Sequence, residues 1–235
     1  MERALDLQEL MDDPDCDADR LAATYRRFAT VNRLVSGWGS VYRAHLRPHL
    51  VALRRPARVL DLGSGGGDIV VRLAGLARRD SLDVHWVGAD PDPRAHASAS
   101  LRRAPGVEFR CTDSAALRSR GEVFDAVLSN HVLHHLDAAT LATFAADSRE
   151  LSTGPVLHGD IARGRMAYAL YAAGITPFAP GTFLRTDGLR SIRRSYRADE
   201  LGAALGADWR VDAPAPFRLL AVVRGEGEHE GTADA

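Results

Sequence analysis

Residues 59–68, VLDLGSGGGD, contain the feature that most limits how this chain can fold. An apolar run holding one acid, Asp61, breaks into five residues of which four are glycine, and the apolar stretch IVVRLAGLA follows. A strand, a glycine turn and a helix in this order begin a doubly wound α/β unit, in which free backbone amides at the helix start face a polar ligand. The segment therefore predicts a ligand site on a parallel sheet.

The rest of the chain repeats this alternation. Strand-like runs RVLDL, DVHWVGAD, VEFRC, FDAVLSN and PVLHGD are separated by helical stretches, which implies crossover connections and parallel pairing. Near the C-terminus, DWRVDA and FRLLAVV are joined only by a turn-prone PAP, so they are expected to pair antiparallel. The pattern predicts a three-layer, Rossmann-like α/β fold with seven strands, mostly parallel, ending in an antiparallel hairpin.

The composition divides the chain into four segments. Residues 1–19 are acidic and are expected to form a loosely ordered, solvated lead-in. Residues 20–55 place apolar side chains three and four apart, as in Leu21, Tyr25, Phe28 and Val31, which predicts a helical N-terminal cap. Residues 56–224 form the α/β domain, with a lid insertion at about 163–196, and residues 225–235 are expected to be a disordered tail.

Two common nucleotide motifs do not fit the glycine segment. The dinucleotide fingerprint needs glycine at the sixth position of the loop, where Asp68 stands when the count starts at Gly63. A phosphate-binding P-loop needs a lysine, and the sequence contains none. The pattern that remains is an acid followed by alternating glycines: Asp61, Gly63, Gly65 and Gly67.

This pattern resembles the first motif of class I S-adenosylmethionine-dependent methyltransferases. The next strand ends at Asp90, close to the offset at which an acid binds a ribose hydroxyl pair. The third ends in CTDS, and Asp113 stands where the family presents an acid to the adenine amino group. The resemblance implies S-adenosyl-L-methionine as cofactor, held by Asp61, Gly63, Ser64, Gly65, Gly67, Asp90, Pro91, Thr112, Asp113, Ser114 and Asn130 and covered by Tyr25 and Arg26 from the cap.

Residues 124–136, FDAVLSNHVLHHL, look like the fourth motif of small-molecule methyltransferases typified by the ubiquinone and menaquinone biosynthesis enzymes. Methyltransferases of base or glutamine amino groups carry a Pro-Pro motif here, which this chain lacks, and a formal net charge of −1 gives no general attraction for nucleic acid. The resemblance implies methyl transfer to an oxygen of a phenolic, quinol or polyketide-like compound. Methylation of a ring carbon and a non-catalytic cofactor-binding regulatory protein stay open as alternatives.

Histidines in the same stretch are candidates for the proton acceptor. A helix would place His131 and His135 one turn apart, and either could face the methyl acceptor as a general base. Packing of the pair His134 and His135 is an equally weighted interpretation. A metal site is not predicted, because the spacing shows no third ligand.

The fifth strand ends in HGD, so His158 and Asp160 are further candidates. Polar residues at the carboxyl end of a strand usually face the ligand crevice. The predicted catalytic residues are therefore His135, His158, His131 and Asp160.

The remaining observations concern surroundings and partners. Residues 166–184 are uncharged but interrupted by glycine and proline, which favours a pocket-lining lid over a membrane span. Two cysteines, Cys16 and Cys111, and no signal peptide predict a reducing, cytoplasmic environment. A small-molecule aromatic acceptor is the expected partner, and a homodimer is left open.

Overall fold

The computed structural model describes residues 1–227. Within them, seven strands form one sheet in the order β3-β2-β1-β4-β5-β7-β6. They are β1 (Ala57–Leu62), β2 (Val84–Asp90), β3 (Val107–Cys111), β4 (Ala126–Asn130), β5 (Pro155–Ile161), β6 (Arg210–Asp212) and β7 (Arg218–Arg224). Strands β1 to β5 pair in parallel, whereas β7 is antiparallel to β5 and β6. The predicted mostly parallel sheet with an antiparallel C-terminal hairpin is confirmed.

Helices lie before the sheet and between its strands. They are α1 (Ala18–Val35), α2 (Trp38–Val41), α3 (Arg47–Leu53), α4 (Asp68–Arg79), α5 (Pro93–Ser100), α6 (Ser114–Ser119), α7 (Ala138–Glu150), α8 (Arg165–Gly174), α9 (Leu184–Arg194) and α10 (Ala198–Leu205). A π-helical segment, Tyr42–Leu46, joins α2 to α3, and short 3-10 turns cover Leu10–Asp12, Leu133–His135 and Thr176–Phe178. Helix α1 begins where Asp17 accepts a hydrogen bond from the Arg20 amide.

The core has two halves because side chains alternate across the sheet. In β1, Val59 packs into a cluster with Trp38, Leu73 and Trp86, whereas Leu60 packs on the opposite face with Val127 and others. Both faces are covered, as a parallel sheet requires. No helix within residues 1–227 is long and apolar enough to cross a membrane.

The N-terminal segment differs from the expected solvated lead-in. Glu9 is only 5% exposed, and the carboxylate of Asp187 in α9 accepts hydrogen bonds from the amides of Leu10 (2.9 Å) and Met11 (3.0 Å). These partners lie more than 170 residues apart in sequence, 177 for Leu10, so no local pattern reveals them. The segment is therefore attached to helix α9.

The predicted tail falls partly outside the described residues. The Gly225 amide donates to the Gly154 carbonyl at 2.7 Å, and Glu226 is paired with Arg149. Residues 228–235 lie outside the part of the chain that the structure describes. Cys16 and Cys111 are both free thiols.

Candidate active site

A cavity of about 1500 Å³ opens at the carboxyl ends of β1 to β4. Its walls come from the N-terminal segment, from α1, from the loops after these strands and from α8 and α9. Ligands of doubly wound sheets bind at this edge, because the loops after the strands leave a crevice there. The cavity is thus where the sequence places its candidate site.

The glycine loop, residues 63–67, forms one end of this cavity. Gly63, Gly65 and Gly67 all have positive φ, between 53° and 75°, which favours glycine. A Cβ on Gly63 would meet Val132 at 2.5 Å and one on Gly67 would meet Phe109 at 2.5 Å, whereas one on Gly65 has Tyr25 at 3.9 Å as its nearest neighbour. Two of the glycines therefore make room for the protein's own side chains, and of these three only Gly65 has space for a Cβ.

Asp61 lies beneath this loop with an unsatisfied carboxylate. It is 1% exposed, and its Oδ1 has no hydrogen-bond partner among residues 1–227. Burial, with the nearby negative charges of Asp68 and Asp90, raises the pKa of Asp61 well above its usual value. An isolated buried carboxylate is costly, so this position fits a ligand that brings a positive charge or a hydrogen-bond donor.

Asp90 holds the loop from the next strand. Its two oxygens accept hydrogen bonds from the amides of Gly65 (2.8 Å) and Asp92 (2.9 Å). Each oxygen keeps a further lone pair, so both can still accept from a pair of hydroxyls. Burial raises the pKa of Asp90 despite these two bonds.

Two of the residues predicted to bind the cofactor, Arg26 and Gly67, do not line the cavity, whereas the others do. Asp113 caps α6 through the Ala116 amide at 2.8 Å, and the Ser114 hydroxyl donates to Asp147 at 2.7 Å. Arg26 is exposed on α1 and does not line the cavity, and Gly67 faces Phe109 instead. The members that line the cavity are Asp61, Gly63, Ser64, Gly65, Asp90, Pro91, Thr112, Asp113, Ser114, Asn130 and Tyr25.

His131 does not lie on a helix with His135. It follows β4 in a left-handed conformation, with φ of 62°, and the next turn is a 3-10 turn. Its Nε2 accepts from the guanidinium of Arg218 at 2.6 Å, and Arg218 also donates to Asn130 Oδ1 at 3.0 Å. Burial and the charge of Arg218 hold the pKa of His131 well below its usual value, so the ring is neutral and its acceptor nitrogen is already used.

His134 joins two carboxylates inside the protein. Its backbone amide and its Nδ1 contact the Asp160 carboxylate at 2.9 and 2.7 Å, and its Nε2 lies 3.2 Å from Glu9 Oε1. Burial alone would lower the pKa of His134, but the charge of Asp160 with the hydrogen bonds to Asp160 and Glu9 raises it to about 9. Asp160 does not itself line the cavity and acts through His134.

His135 is the more accessible neighbour, with 28% of its side chain exposed. Its Nδ1 lies 3.2 Å from Asp12 Oδ2, and its Nε2 lies 3.7 Å from Glu9 Oε1. Glu9, His134 and His135 all line the cavity and are called the His–Glu cluster below.

His158 lies outside the cavity, contrary to its predicted role. It is 0% exposed, with Nδ1 at 2.8 Å from the Ser129 hydroxyl and its ring 5.3 Å from that of Trp209. Alternation along β5 turns it onto the same face as Val156, where Phe144 of α7 and Trp209 pack against its ring. Burial lowers its pKa to about 3, so it is a neutral core residue.

Comparison with known proteins finds a family profile that covers the glycine loop. Residues 59–153, less than half of the chain, match the family profile described as a methyltransferase domain. This segment is therefore similar to methyltransferase domains. The profile covers all of the glycine loop and the segment that contains His131, His134 and His135.

Two curated ubiquinone biosynthesis O-methyltransferases resemble this chain in part. The one from Parvibaculum lavamentivorans is 34% identical over 82 residues, 34% of this chain and 30% of that protein. The one from Brucella ovis is 28% identical over 161 residues, 66% of this chain and 60% of that protein. The chain thus spans less than two thirds of the length of these relatives.

Solved structures share the fold at low identity. The plantazolicin methyltransferase BpumL, in complex with a pentazolic desmethyl analogue and SAH, matches with a TM-score of 0.59 at 12% identity, over 89% of this chain and 96% of that one. Human N-acetylserotonin methyltransferase in complex with SAM matches with a TM-score of 0.58 at 14% identity, over 87% and 55%.

An apolar wall closes the other side of the cavity. Helix α8 is only ten residues long and a 3-10 turn follows it, so the uncharged stretch 166–184 is not one helix, as predicted. Tyr171 is anchored by its hydroxyl to the Leu184 carbonyl at 2.8 Å. The side chains of this wall that line the cavity are Leu170, Tyr171, Ile175, Phe178 and Leu184.

Sequence reasoning missed the residues that come from distant segments. Glu9 and Asp12 lie in the segment expected to be solvated, and Arg218 lies in a strand with no motif. Asp68 is bound by the Asn32 amide at 3.0 Å under the glycine loop. No local pattern in LDLQEL distinguishes Glu9 from the other acids of the N-terminal segment.

Proposed function

We propose that this protein binds S-adenosyl-L-methionine and transfers its methyl group to a small-molecule acceptor, at an oxygen of a phenolic, quinol or polyketide-like compound. One observation supports the proposal most strongly. Asp61, whose Oδ1 has no hydrogen-bond partner among residues 1–227, lines the same cavity as the His–Glu cluster and the apolar wall. Cofactor and acceptor can thus share one enclosed space.

The cofactor fits the glycine-loop end. Its ammonium group and sulfonium are cationic, and Asp61, Asp68 and Asp90 lie there with pKa values that burial raises, so a bound cation would stabilise their ionised forms. Free lone pairs of Asp90 suit the ribose diol, while Asp113 and Thr112 lie after the next strand for the adenine. Tyr25 lies over the loop, 3.1 Å from the position of a Gly66 Cβ, and would exclude water from above.

The reaction requires alignment more than activation. The acceptor oxygen attacks the methyl carbon, the carbon–sulfur bond breaks as the oxygen–carbon bond forms, and the sulfonium becomes a neutral thioether. The acceptor hydroxyl gives its proton to the imidazole of His135, which is the accessible base of the His–Glu cluster. Fixed orientation in a water-excluded site can contribute about 7–11 kcal/mol to such a transfer.

The type of acceptor is supported by the wall and by the relatives. A mostly apolar surface with a few placed polar groups selects flat apolar molecules. The names of the two bacterial relatives specify O-methyltransferases of ubiquinone biosynthesis. Oxygen is therefore preferred over ring carbon as the methylated atom.

The test is to incubate the full chain with methyl-labelled S-adenosylmethionine and a panel of phenols, catechols and quinols, and to identify products by mass spectrometry and NMR. Label in a methoxy group supports the proposal, and label in a ring methyl group would replace it with carbon methylation. Bound cofactor whose label never leaves it, across the panel, would favour the regulatory binding protein.

A further inference from the structure

The His–Glu cluster has the geometry of an unassigned metal site. One ligand atom from each of Glu9, His134 and His135 lies within 4.8 Å of the other two. Glu9 Oε1 is 3.2 Å from His134 Nε2 and 3.7 Å from His135 Nε2. Three donor atoms this close can share one ion at the bond lengths of about 2.0–2.2 Å typical of zinc with nitrogen and oxygen ligands.

Both imidazoles are oriented as metal ligands usually are. His134 Nδ1 faces Asp160 at 2.7 Å, and His135 Nδ1 faces Asp12 at 3.2 Å. A carboxylate on the far nitrogen places the proton on Nδ1 and leaves the Nε2 lone pair for an ion. Both Nε2 atoms approach the same oxygen of Glu9, so one ion could be shared by the three atoms and would displace the proton that His134 Nε2 shares with Glu9.

The third donor is fixed although it lies in the N-terminal segment. The Ser191 hydroxyl donates to Glu9 Oε1 at 2.5 Å, and Asp187 accepts from the two amides that follow Glu9. Arg190 also donates to the Gln8 carbonyl at 2.6 Å. Helix α9 thus binds the backbone on both sides of Glu9 and holds the Glu9 side chain against the histidines.

Charge and ligand type favour a divalent transition metal. Glu9, Asp12 and Asp160 bring three carboxylates to two imidazoles, which leaves negative charge that a dication would neutralise. Two imidazoles and a carboxylate suit zinc, iron or cobalt, whereas magnesium and calcium prefer oxygen ligands alone. Three protein ligands leave at least one coordination position open, and all three line the cavity.

We propose that Glu9, His134 and His135 bind a divalent first-row transition metal ion whose open position faces the acceptor. Its role rests on the proposed function: the ion would bind the acceptor oxygen and favour its ionised form, which selects phenols and adjacent diols. The Nε2 lone pair of His135 cannot bind an ion and accept a proton together, so with the metal bound the coordinated hydroxyl would release its proton to solvent as the acceptor binds, and not to His135.

The test measures metal binding without cofactor or acceptor. Full-length protein without a histidine tag is stripped with a chelator and titrated with Co²⁺, followed by visible absorption and calorimetry, with Zn²⁺ as competitor. One Co²⁺ per chain with bands of a four- or five-coordinate ion is expected. Glu9→Gln and His135→Gln should each weaken binding on the order of 100-fold, and Asp160→Asn by about 10- to 100-fold.

His85→Gln is the matched control, because His85 Nε2 also lies 3.1 Å from a carboxylate, that of Glu108. This pair is exposed and forms no three-donor group within residues 1–227. It should bind Co²⁺ like the wild type. Circular dichroism verifies that each variant is folded. Wild-type protein that takes up no stoichiometric Co²⁺, or equal binding by folded Glu9→Gln and His135→Gln variants, would overturn the metal site. Cofactor calorimetry on the stripped protein tests the proposed function separately.

Discussion

The two ends of the cavity are built from the chain in different ways. At the glycine-loop end, Asp61, Gly65 and Asp90 come from neighbouring strand ends within 30 residues of sequence. At the His–Glu end, Glu9 meets His134 across 125 residues and Ser191 across 182. The first end depends on local backbone geometry, whereas the second exists only when distant segments meet. Substitutions should therefore act differently at the two ends.

The largest expected effect is on the stability of the glycine loop. Gly67→Ala forces a side chain into a left-handed conformation, which costs about 1–3 kcal/mol, and against Phe109 at 2.5 Å, which adds about 1–3 kcal/mol. Gly65→Ala has the same left-handed backbone cost, but its Cβ would have no atom closer than 3.9 Å. It should therefore reduce cofactor affinity more than the free energy of unfolding. Denaturant unfolding and cofactor calorimetry separate the two.

Gly75→Ala in α4 is the control for these variants, since nothing lies within 4 Å of its added Cβ and alanine favours a helix by up to about 1 kcal/mol. Equal stability of the Gly67→Ala and Gly75→Ala variants would show that Phe109 does not exclude a side chain at position 67.

The second effect concerns charge beneath the loop. Asp61→Asn should weaken binding of S-adenosylmethionine by about 1.5–3 kcal/mol, roughly 10- to 150-fold, because a hydrogen bond involving a charged group is lost. The same change should raise the free energy of unfolding at neutral pH. Asp61 has a raised pKa when folded, so its ionisation costs stability as the pH rises above the unfolded value, and asparagine removes that cost.

Asp208→Asn serves as the exposed control and should alter neither quantity. Unchanged cofactor affinity in Asp61→Asn would remove this carboxylate from the site.

The third effect distinguishes the core histidine from those of the cavity. The folded pKa of His158 is about 3, compared with 6.5 for the unfolded side chain. Above pH 6.5 the ring is neutral in both states, but between 6.5 and 3 only the unfolded chain binds the proton, so stability falls as the pH is lowered. This group should contribute about 1.4 kcal/mol per pH unit well inside that window.

His158→Asn should flatten the pH dependence of unfolding between pH 6.5 and 5 relative to the wild type, and His85→Asn, an exposed histidine, should not. Chemical denaturation at several pH values gives the slopes. Parallel slopes for wild type and His158→Asn would place His158 in contact with solvent.

The smallest effect is expected at the apolar wall. Phe178→Ala removes part of a surface that would contact the acceptor, so the KM for a phenolic acceptor should rise by up to about 10-fold. A fully buried apolar side chain contributes about 1.5–3 kcal/mol, and the effect is at the lower end because Phe178 is only half-buried. The cofactor dissociation constant should stay the same. A loss of cofactor affinity of equal size would mean that the wall serves both ends of the cavity.

Much of the glycine-loop end was predictable because its signals are local. The strand that ends at Asp61, the glycine turn and the helix from Asp68 follow from periodicity and turn chemistry within 20 residues. The purpose of single glycines was not predictable, because Gly63 and Gly67 face Val132 and Phe109 from other loops. The prediction for Arg26 failed for a related reason, since helix orientation decides which face of α1 covers the loop.

By itself the sequence determined the α/β class, the order of strands and helices along the chain and the acids at three strand ends. Only the tertiary structure decided that His158 faces the core while Asp160, two residues on, binds His134, and that Glu9 completes the His–Glu cluster. Hydrophobic periodicity specifies which residues are buried within an element. It does not specify which distant segment covers them, because that choice depends on the packing of the whole fold.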